Sequence, residues 1–541
     1  MPFLAKEHHP VPTKDLLSWT FDDLAYDWDD PIYIDALKPE NNISARAAHT
    51  AIRRLAAGFR ALGLQSGDCV CIHSFNDIWY PIFFLGVIAA GGVYAGTNPA
   101  YTAHELAHTM RVAKVKFVLA QPDLLPPVLK AAAQAGVPDE RVMLFNPHGP
   151  EDASRTQWRD LLSHGERDWP RFDDLATAST TTAALLFSSG TTGLPKAAML
   201  SHHNFIAQHT LLYEAPPRPY KAVRLCALPM FHAASAPVTH TTPLRAGEKM
   251  YVLPRFDLER WFRAHEAYAV TDVAMVPPVI IQAINSPLRH KYDLRAARVG
   301  QVGAAPLDKG PQARMQALLG GKPLNQVWGM TETSCVATRF RYPEYDATGS
   351  VGLPLPGLDL KLVDGEGRDV SGFGVRGELC VRGPTVIRGY FENEEANGRD
   401  FDEEGFFHTG DIAFVDRKSG LWYIVDRKKE LIKVRGFQVA PPELEGVLLS
   451  HPDIVDAAVI GVPDPNREGD EVPRGYVVRR PGASGPSTEE LHAYMRERLA
   501  SYKMLEGGVR WVETIPKNAS GKILKRILRE EAKSEGVAAK L

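Results

Sequence analysis

The chain has few cysteines for its length and no excess of charge of one sign. Five cysteines in 541 residues are scattered along the sequence, which excludes a disulfide scaffold and fits a reducing compartment. The pair Cys69 and Cys71, in DCVCIH, cannot complete a zinc site and is typical of a buried strand. The net charge is −3, so there is no basic field for nucleic acid or an anionic membrane.

Long hydrophobic stretches are also lacking, with one exception. The run from Ile78 to Gly96 is uncharged, but it contains Pro81, and Gly91-Gly92 is typical of a helix stop before the strand VYAGT. We therefore expect a buried helix, turn and strand here, not a stable membrane span. The N-terminal segment has no apolar core of signal-peptide length.

Length and patterning predict an α/β protein of more than one domain. A chain of 541 residues is too long for a single core. Short apolar runs such as CVCIH, KFVLA and AALLF alternate with helical stretches, which predicts parallel sheets covered by helices. One such helix spans residues 44–62, with Ser44 as its N-cap and Gly63 as its stop.

Two later regions differ in character. Residues 348–391 are rich in glycine and short strand patterns, which predicts a small β-rich subdomain, placed at about 348–425. Strand and helix signals then alternate after the charged stretch DRKKE, so we place the domain boundary at Lys428–Lys429, giving domains 1–428 and 429–541. A polar surface loop within one continuous fold is the alternative for DRKKE.

Residues 187 to 196, FSSGTTGLPK, form a glycine-punctuated hydroxyl-rich stretch after the apolar run TTAALLF. Such a stretch at a strand end can direct backbone N–H groups and hydroxyls toward a phosphate chain. An ordinary solvated turn is the alternative, because Ser, Thr and Gly are common in loops. No glycine precedes Lys196 directly, so this is not the GxxxxGK[ST] loop of kinases and GTPases.

Further motifs follow this loop in a fixed order. They are LPMFH (228–232), VGAAPL (302–307), WGMTE (328–332), HTGD (408–411), IVDRKKELIKVRGFQVAPPELE (424–445) and PKNASGK (516–522). This ordered set resembles the adenylate-forming superfamily, and it is most similar to its 4-coumarate–CoA-ligase-like acyl-CoA synthetases. The resemblance covers nearly the whole chain. It implies a large N-terminal domain followed by a small, mobile α+β C-terminal domain.

The resemblance implies a two-step ligase reaction that uses ATP, Mg²⁺ and coenzyme A. A carboxylic acid attacks the α-phosphorus of ATP to give an acyl-adenylate and pyrophosphate, and the thiol of coenzyme A then displaces AMP. Glu332 is implied as the Mg²⁺ ligand. The implied ATP and AMP contacts are Ser188, Ser189, Gly190, Thr191, Thr192, Gly193, Lys196, Gly303, Ala304, Ala305, Trp328, Gly329, Met330, Thr331, Asp411, Arg427, Gln438 and Lys522.

Within this set the resemblance gives several residues specific roles. Trp328 stands where the family usually has tyrosine and would stack on adenine. Asp411 and Arg427 would hold the ribose hydroxyls. Lys522 would neutralise charge on the reacting carboxylate and α-phosphate, a fixed cation acting on the transition state.

The remaining implied roles concern the acid, the thiol and the hinge. The residues are His232 and Lys433 as further catalytic groups, Lys429 as the hinge, Arg435 and Gly436 beside coenzyme A, and His232, Ala234 and Val238 at the acyl pocket. Hydroxycinnamate-specific ligases have tyrosine two residues after the histidine, whereas this chain has Ala234. The pocket is therefore expected to be apolar and roomy, for an aliphatic or bulky aryl acid. A histidine instead of aspartate at 232 argues against an amino acid substrate.

Two other functions remain to be weighed. One is an adenylating enzyme that delivers its acyl group to a carrier-protein phosphopantetheine, or to oxygen as luciferases do. The other is an inactive relative acting as a binding module, against which the complete motif set argues. Finally, Ala539-Lys540-Leu541 is a variant of the SKL address, so we expect a peroxisomal import receptor as partner and a peroxisomal location, otherwise a cytoplasmic one.

Overall fold

The structure is a computed structural model. It describes residues 1–149, 155–188, 195–428, 430–434, 437–465, 467, 471–482, 485–499, 501–518 and 521–538, with the side chains of 433, 437, 438 and 536–538 left aside. Several predictions therefore concern positions outside the described residues: Ser189, Gly190, Thr191, Thr192, Gly193, Lys429, Arg435, Gly436 and the terminal Ala539-Lys540-Leu541.

The α-helices, numbered in chain order, are α1 (Leu16–Phe21), α2 (Ala45–Ala61), α3 (Tyr80–Ala89), α4 (Ala103–Val112), α5 (Leu125–Ala135), α6 (Leu175–Thr180), α7 (His202–His209), α8 (Ala236–Thr239), α9 (Thr242–Ala246), α10 (Leu258–Ala267), α11 (Pro277–Asn285), α12 (Lys309–Leu318), α13 (Glu394–Asp400), α14 (Pro441–Leu449), α15 (Thr488–Arg496) and α16 (Lys525–Ala538). Short 3-10 helices span Pro122–Leu124, Asp139–Arg141, Trp158–Ser163, Pro287–His290, Thr331–Thr333 and Ser501–Lys503, and a π-helical turn spans Thr210–Glu214.

The strands are β1 (Pro31–Asp35), β2 (Asn42–Ser44), β3 (Cys69–His73), β4 (Val93–Gly96), β5 (Val115–Ala120), β6 (Val142–Leu144), β7 (Thr182–Ser188), β8 (Lys196–Ser201), β9 (Val223–Cys226), β10 (Lys249–Val252), β11 (Asp272–Met275), β12 (Val299–Val302), β13 (Leu324–Gln326), β14 (Trp328–Met330), β15 (Cys335–Arg339), β16 (Leu353–Pro354), β17 (Asp359–Val363), β18 (Gly377–Arg382), β19 (Phe407–Val415), β20 (Trp422–Arg427), β21 (Ile432–Val434), β22 (Phe437–Val439), β23 (Ile454–Pro463), β24 (Glu471–Arg479) and β25 (Val509–Trp511).

Two mixed sheets form the body of the protein. The first has the order β6-β5-β3-β4-β7-β8, and its pairs are parallel except β7 with β8. The second has the order β13-β12-β11-β9-β10-β1-β2, parallel except β1 with β2. Parallel pairing needs helical crossovers, and the helices between these strands supply them. The predicted parallel sheets covered by helices are confirmed.

Local signals in the sequence explain the first elements. The Ser44 side chain accepts a hydrogen bond from the backbone N–H of Ala47, and Gly63 ends the helical segment with φ 86°. The uncharged run becomes α3, which is buried along its whole length, then a turn at Gly91 and the buried strand β4. No helix within the described ranges is long and apolar enough to cross a membrane.

The rest of the chain forms smaller sheets. Strands β17 to β20 make an antiparallel sheet in sequence order, within the region expected to be β-rich. Beyond it, β23, β24 and β25 form a three-stranded sheet against which α14 and α15 pack around a separate apolar core. The last helix, α16, packs on the same sheet through Leu528. The architecture is a large α/β unit followed by a small α+β unit, as expected, while the boundary at 428–429 stays a prediction.

Candidate active site

The predicted phosphate loop begins and ends on paired strands. β7 ends at Ser188 and β8 begins at Lys196, and these two residues are partners in the antiparallel register. The loop between them therefore starts and finishes at one place on the edge of the first sheet. Its middle, with five of the expected phosphate contacts, lies outside the described residues.

Ser188 and Glu332 meet directly. The Ser188 hydroxyl donates to Oε1 of Glu332 at 2.6 Å, and the Tyr390 hydroxyl donates to the same oxygen at 2.8 Å. Glu332 lies in the 3-10 turn after β14 and is only 3% exposed. Glu332, the predicted Mg²⁺ ligand, is thus fixed beside the start of the predicted phosphate loop.

Lys196 has partners that the sequence did not indicate. Its ammonium lies 2.8 Å from Oδ2 of Asp400 and 3.8 Å from the ring centroid of Tyr390. Tyr390 therefore links the two ends of the loop: its ring contacts Lys196, and its hydroxyl donates to the Glu332 oxygen that also accepts from Ser188. Neither Tyr390 nor Asp400 stands in a local pattern that predicts this, because both contacts join distant parts of the chain.

The predicted sugar-binding pair lies on adjacent strands. Asp411 of β19 and Arg427 of β20 are register partners, and Nε of Arg427 lies 3.5 Å from Oδ1 of Asp411. The indole N–H of Trp328 donates to the other oxygen, Oδ2, at 2.8 Å. Trp328, which is 7% exposed, thus orients the acid, a role that the stacking prediction does not include. Its stacking on adenine stays a prediction.

The small residues after β12 include one with a left-handed backbone conformation. Gly303, Ala304 and Ala305 follow directly on Val302, and Ala304 adopts φ 71°. A left-handed conformation is uncommon for a residue with a β-carbon and is often found at functional sites. Gly329 is needed for packing, because a β-carbon there would lie 1.7 Å from the carbonyl oxygen of Cys335.

His232 lies on a loop that a buried asparagine fixes. Asn76 donates to the carbonyl of Leu228 at 3.0 Å and accepts from the N–H of Met230 at 2.9 Å. Nδ1 of His232 accepts from the backbone N–H of Ala234 at 3.1 Å, which leaves the Nε2–H of the neutral ring as a donor. Burial, with the charge of Lys522, lowers the pKa of His232 to about 4, so the ring is neutral at pH 7.

Two of the expected acyl-pocket residues follow His232 closely in the chain. Ala234 is exposed, and Val238 on α8 is half-buried. The thiol of Cys335 lies 3.5 Å from the carbonyl oxygen of Ala234, which joins the loop after His232 to the segment after Glu332. The loop after His232 is the segment expected to line the acyl pocket.

Lys522 reaches this site from the small C-terminal unit. Its loop lies against α11: a β-carbon at Gly521 would come within 2.9 Å of Cγ of Pro278. Burial and the charge of Arg427 lower the pKa of Lys522 to about 8, while Glu430 and Asp411 act in the opposite direction. Lys522 therefore lies close enough to the Asp411–Arg427 pair and to His232 for their charges to act on one another.

Lys433 and Gln438 are partners in the two-stranded pair of β21 and β22. The structure describes their backbone alone, so their implied contacts with AMP stay predictions. Within the described residues, no group of three or more His, Cys, Asp and Glu side chains could hold a metal ion.

Comparisons with known proteins show the family and the fold of the chain. The AMP-binding enzyme model matches residues 23–391, and the model of the AMP-binding enzyme C-terminal domain matches residues 443–522. The fold is that of adenylate-forming enzymes: ATP-bound MatB from Rhodopseudomonas palustris superimposes with a TM-score of 0.84 at 30% identity, covering 96% of this chain and 98% of that one.

Two relatives of known name indicate the type of enzyme within this fold. The chain is 49% identical to phenylacetyl-CoA ligase epaB of Aspergillus niger over 96% of this chain and 97% of that protein. It is 36% identical to nicotinic acid-CoA ligase olcI of Penicillium canescens over 94% and 96%. The chain belongs to the AMP-binding enzyme family. It is an acyl-CoA ligase, joining an acid to a thiol.

Proposed function

We propose that the protein activates a carboxylic acid with an apolar body in two steps on one site. In the first, the acid's oxygen attacks the α-phosphorus of ATP, and pyrophosphate leaves. In the second, the thiol of coenzyme A attacks the acyl carbon, and AMP leaves as the acyl-CoA forms. The observation that carries the proposal is the meeting of Lys522 with the Asp411–Arg427 pair, because Lys522 comes from the small C-terminal unit whereas the pair lies on β19 and β20.

The residues of the large unit bind and orient ATP. Ser188 and Lys196 stand at the two ends of the phosphate loop, where β- and γ-phosphate oxygens would replace some of their present contacts. Asp411 accepts hydrogen bonds from the ribose hydroxyls. The indole N–H of Trp328 holds the Asp411 carboxylate in the orientation that this requires. Thr331, which follows β14 directly, donates its hydroxyl to the α-phosphate.

The environment of Glu332 fits Mg²⁺. This cation is usually held by one or two carboxylates together with substrate phosphates, so a single buried acid suffices. Oε1 of Glu332 accepts from Ser188 and Tyr390, which leaves Oε2 with no hydrogen bond from the described residues. Bound there with ATP, the ion would neutralise phosphate charge as pyrophosphate leaves.

His232 and Lys522 act on the reacting acid. The neutral His232 ring offers its Nε2–H to a carboxylate oxygen without placing a second full charge there. Lys522 supplies the cation that stabilises the negative charge gathering on the α-phosphate in the transition state. A fixed charge is more effective where burial limits contact with water, and Lys522 is partly buried.

An acid with an aromatic ring on a short chain is the first substrate to test. The small side chain of Ala234 is exposed, Val238 is half-buried, and the Cys335 thiol lies beside Ala234, so the expected pocket residues are small or apolar. One relative, 49% identical, is named for phenylacetyl-CoA, and another, 36% identical, for nicotinic acid. A medium-chain or branched aliphatic acid is the second class.

Coenzyme A is the proposed acceptor. In the thioester step the C-terminal domain (429–541) turns about Lys429, withdraws Lys522 and brings Arg435 and Gly436 to the thiol. A carrier-protein phosphopantetheine or oxygen remains the alternative acceptor. An assay of thioester formation with free coenzyme A distinguishes these acceptors, because a carrier-dependent enzyme forms little thioester with free coenzyme A.

The test is a pyrophosphate-release screen over aryl and aliphatic acids, with and without coenzyme A. We expect phenylacetic acid to give pyrophosphate and, with coenzyme A, its thioester. In an Ala234→Phe variant, kcat/KM for bulky acids should fall about tenfold or more relative to a short acid, whereas Ala234→Ser should behave as wild type. Absence of acid-dependent pyrophosphate release with every acid would overturn the proposal.

A further inference from the structure

Tyr390 is a buried tyrosine that the implied roles do not include. It lies between β18 and α13, it is 2% exposed, and its hydroxyl donates to Oε1 of Glu332 at 2.8 Å. Its ring lies against the ammonium of Lys196, which is 3.8 Å from the ring centroid. A single side chain thus contacts both the predicted Mg²⁺ ligand and the lysine of the predicted phosphate loop.

The backbone places Tyr390 here independently of its side chain. Tyr390 forms an antiparallel bridge with Ala198 of β8, and the N–H of Phe391 donates to the carbonyl of Ala197 at 2.8 Å. The N–H of Tyr390 donates to Oδ1 of Asn397 at 2.7 Å, and Nδ2 of Asn397 donates back to the Tyr390 carbonyl at 3.0 Å. The substitution Tyr390→Phe therefore keeps all these bonds and removes the hydroxyl alone.

Lys196 has a carboxylate partner of its own. Its ammonium lies 2.8 Å from Oδ2 of Asp400 while it contacts the Tyr390 ring, which is a cation–π arrangement. Arg399 donates to both oxygens of Asp400, at 2.7 and 3.1 Å, and so holds that carboxylate in place. Among the described residues, no ion pair joins Lys196 to Glu332.

Within the described part of the chain, the Glu332 carboxylate is held through one oxygen. Oε1 accepts from Ser188 at 2.6 Å and from Tyr390 at 2.8 Å, and Glu332 is 3% exposed. Hydrogen bonds to a charged acceptor are strong, so two of them on one oxygen fix the rotation of the carboxylate and keep Oε2 for a cation. Mg²⁺ tolerates little deviation from octahedral geometry, so the orientation of a ligand carboxylate affects its affinity.

Lys196 and Glu332 carry opposite charges and contact the same side chain. In buried surroundings such charges attract strongly, and an ion pair between them would put the ammonium at the oxygen that the cation needs. Tyr390 gives each group a different contact, because its hydroxyl bonds to the acid and its ring contacts the ammonium. Asp400 completes the separation by supplying the negative charge that Lys196 would otherwise find at Glu332.

We propose that Tyr390 is a positioning residue for the Mg²⁺ site. This inference rests on the proposed role of Glu332 as a ligand of the ion that accompanies ATP. The Tyr390 hydroxyl sets the orientation of Glu332, and the ring, together with Asp400, keeps Lys196 from pairing with Glu332. Tyr390 acts through these two side chains and does not itself contact the ion.

The first test is a calorimetric titration of a non-hydrolysable ATP analogue at Mg²⁺ concentrations from low to saturating, which needs no turnover. In Tyr390→Phe, the Mg²⁺ concentration that gives half of the maximal affinity for the analogue should rise about tenfold, the usual scale for losing a hydrogen bond to a metal ligand. Affinity at saturating Mg²⁺ should stay close to wild type, because the ATP contacts themselves are unchanged. Tyr268→Phe, the matched control, loses a hydroxyl bond to the carbonyl of Ala36 and should behave as wild type.

Asp400→Asn tests the separation of Lys196 from Glu332. Without the Asp400 charge Lys196 turns to Glu332, so the Mg²⁺ requirement should rise here too, with affinity at saturating Mg²⁺ nearly unchanged. In both variants the Mg²⁺ dependence of acid-dependent ATP–pyrophosphate exchange should shift in parallel, while KM for the acid should stay as in wild type. A Mg²⁺ requirement equal to wild type in either variant would overturn the inference. So would an equal loss of affinity at all Mg²⁺ concentrations, which indicates general damage to the site.

Binding and turnover separate the failure of this inference from failure of the proposed function. A wild type that binds the analogue with Mg²⁺ but releases no pyrophosphate with any acid would refute the reaction, and the binding titrations would still decide the role of Tyr390. An active wild type with an unchanged Mg²⁺ requirement in Tyr390→Phe would refute the role of Tyr390 alone. Unfolding temperatures of all variants control for a loss of structure, and if Tyr390→Phe is unfolded, Asp400→Asn decides the inference.

Discussion

Lys522 and His232 illustrate how strongly single residues depend on their surroundings. A lysine in PKNASGK is by itself an ordinary surface charge, and a histidine after an apolar run is usually a structural one. In the folded chain the two act on each other electrostatically, and burial lowers the pKa of both. The ordered motifs indicated that these residues meet, but their pKa values follow from burial, which no local pattern contains.

Replacing Lys522 should separate the two half-reactions. We expect Lys522→Ala to lower acyl-adenylate formation about 100-fold or more, the usual effect of losing one preorganised charge. Thioester formation from synthetic acyl-adenylate should be largely retained, because Lys522 is withdrawn in that step. Stopped-flow or quench measurements of each half-reaction check this. Equal loss in both would contradict a role confined to adenylation.

The pH profile of adenylation should report on Lys522. Its pKa in the free enzyme is lowered to about 8, so the lysine is cationic below that pH and loses its charge as pH rises through it. We therefore expect kcat/KM for adenylation to decline above pH 8. In Lys522→Arg the guanidinium stays charged, so the decline should disappear from this range. Identical profiles for the two proteins would assign the decline to another group.

At the scale of elements, the sequence predicts best where a local pattern and the tertiary contacts agree. The capped helix α2 and the buried unit of α3 and β4 formed as expected, because caps, glycines and apolar runs are local signals. The β7–β8 pairing was not predicted, nor were the partners of Lys196. Asp400 stands on a short polar helix, and its contact with Lys196 depends on packing between segments far apart in the chain.

The loop that carries His232 offers a test at this scale. Asn76 makes hydrogen bonds to Leu228, Met230 and Leu253 from a buried position. Asn76→Ala leaves these backbone groups without partners, so we expect a loss of about 2 kcal/mol or more in the free energy of unfolding. Adenylation should fall as well, since His232 loses its fixed loop.

Denaturant unfolding and the exchange assay measure both effects. Asp77→Asn, at the next position, is the matched control: Asp77 contacts the N–H of Trp79 and the exposed His148, away from the His232 loop. A fully stable and fully active Asn76→Ala protein would show that the loop holds its shape without Asn76.

At the scale of the whole molecule, the central feature is the docking of the small unit on the large one. Gly521 against Pro278, and Lys522 beside Arg427, describe the arrangement suited to adenylation. The resemblance carried by the ordered motifs implied that Lys522 lies near Asp411 and Arg427. Composition and periodicity alone did not indicate this proximity. The identity of the acid is the least predictable property, because a pocket's volume depends on every neighbouring side chain.

Stiffening the predicted hinge should affect the second step. We expect Lys429→Pro to slow thioester formation at least several-fold and to spare adenylation, because proline fixes φ where the turning domain has to change it. Lys429→Ala, which leaves φ free, is the comparison variant that controls for loss of the side chain. Turnover of Lys429→Pro equal to wild type in both half-reactions would place the hinge elsewhere.

The most direct test of the account is a crystal structure with a stable acyl-adenylate analogue. We predict its ribose hydroxyls on Asp411, its adenine beside Trp328, and its phosphate or phosphate substitute within hydrogen-bonding reach of Thr331 and the Lys522 ammonium. An analogue bound away from Asp411, or bound there with Lys522 still remote, would contradict the claim that these groups act together on one nucleotide.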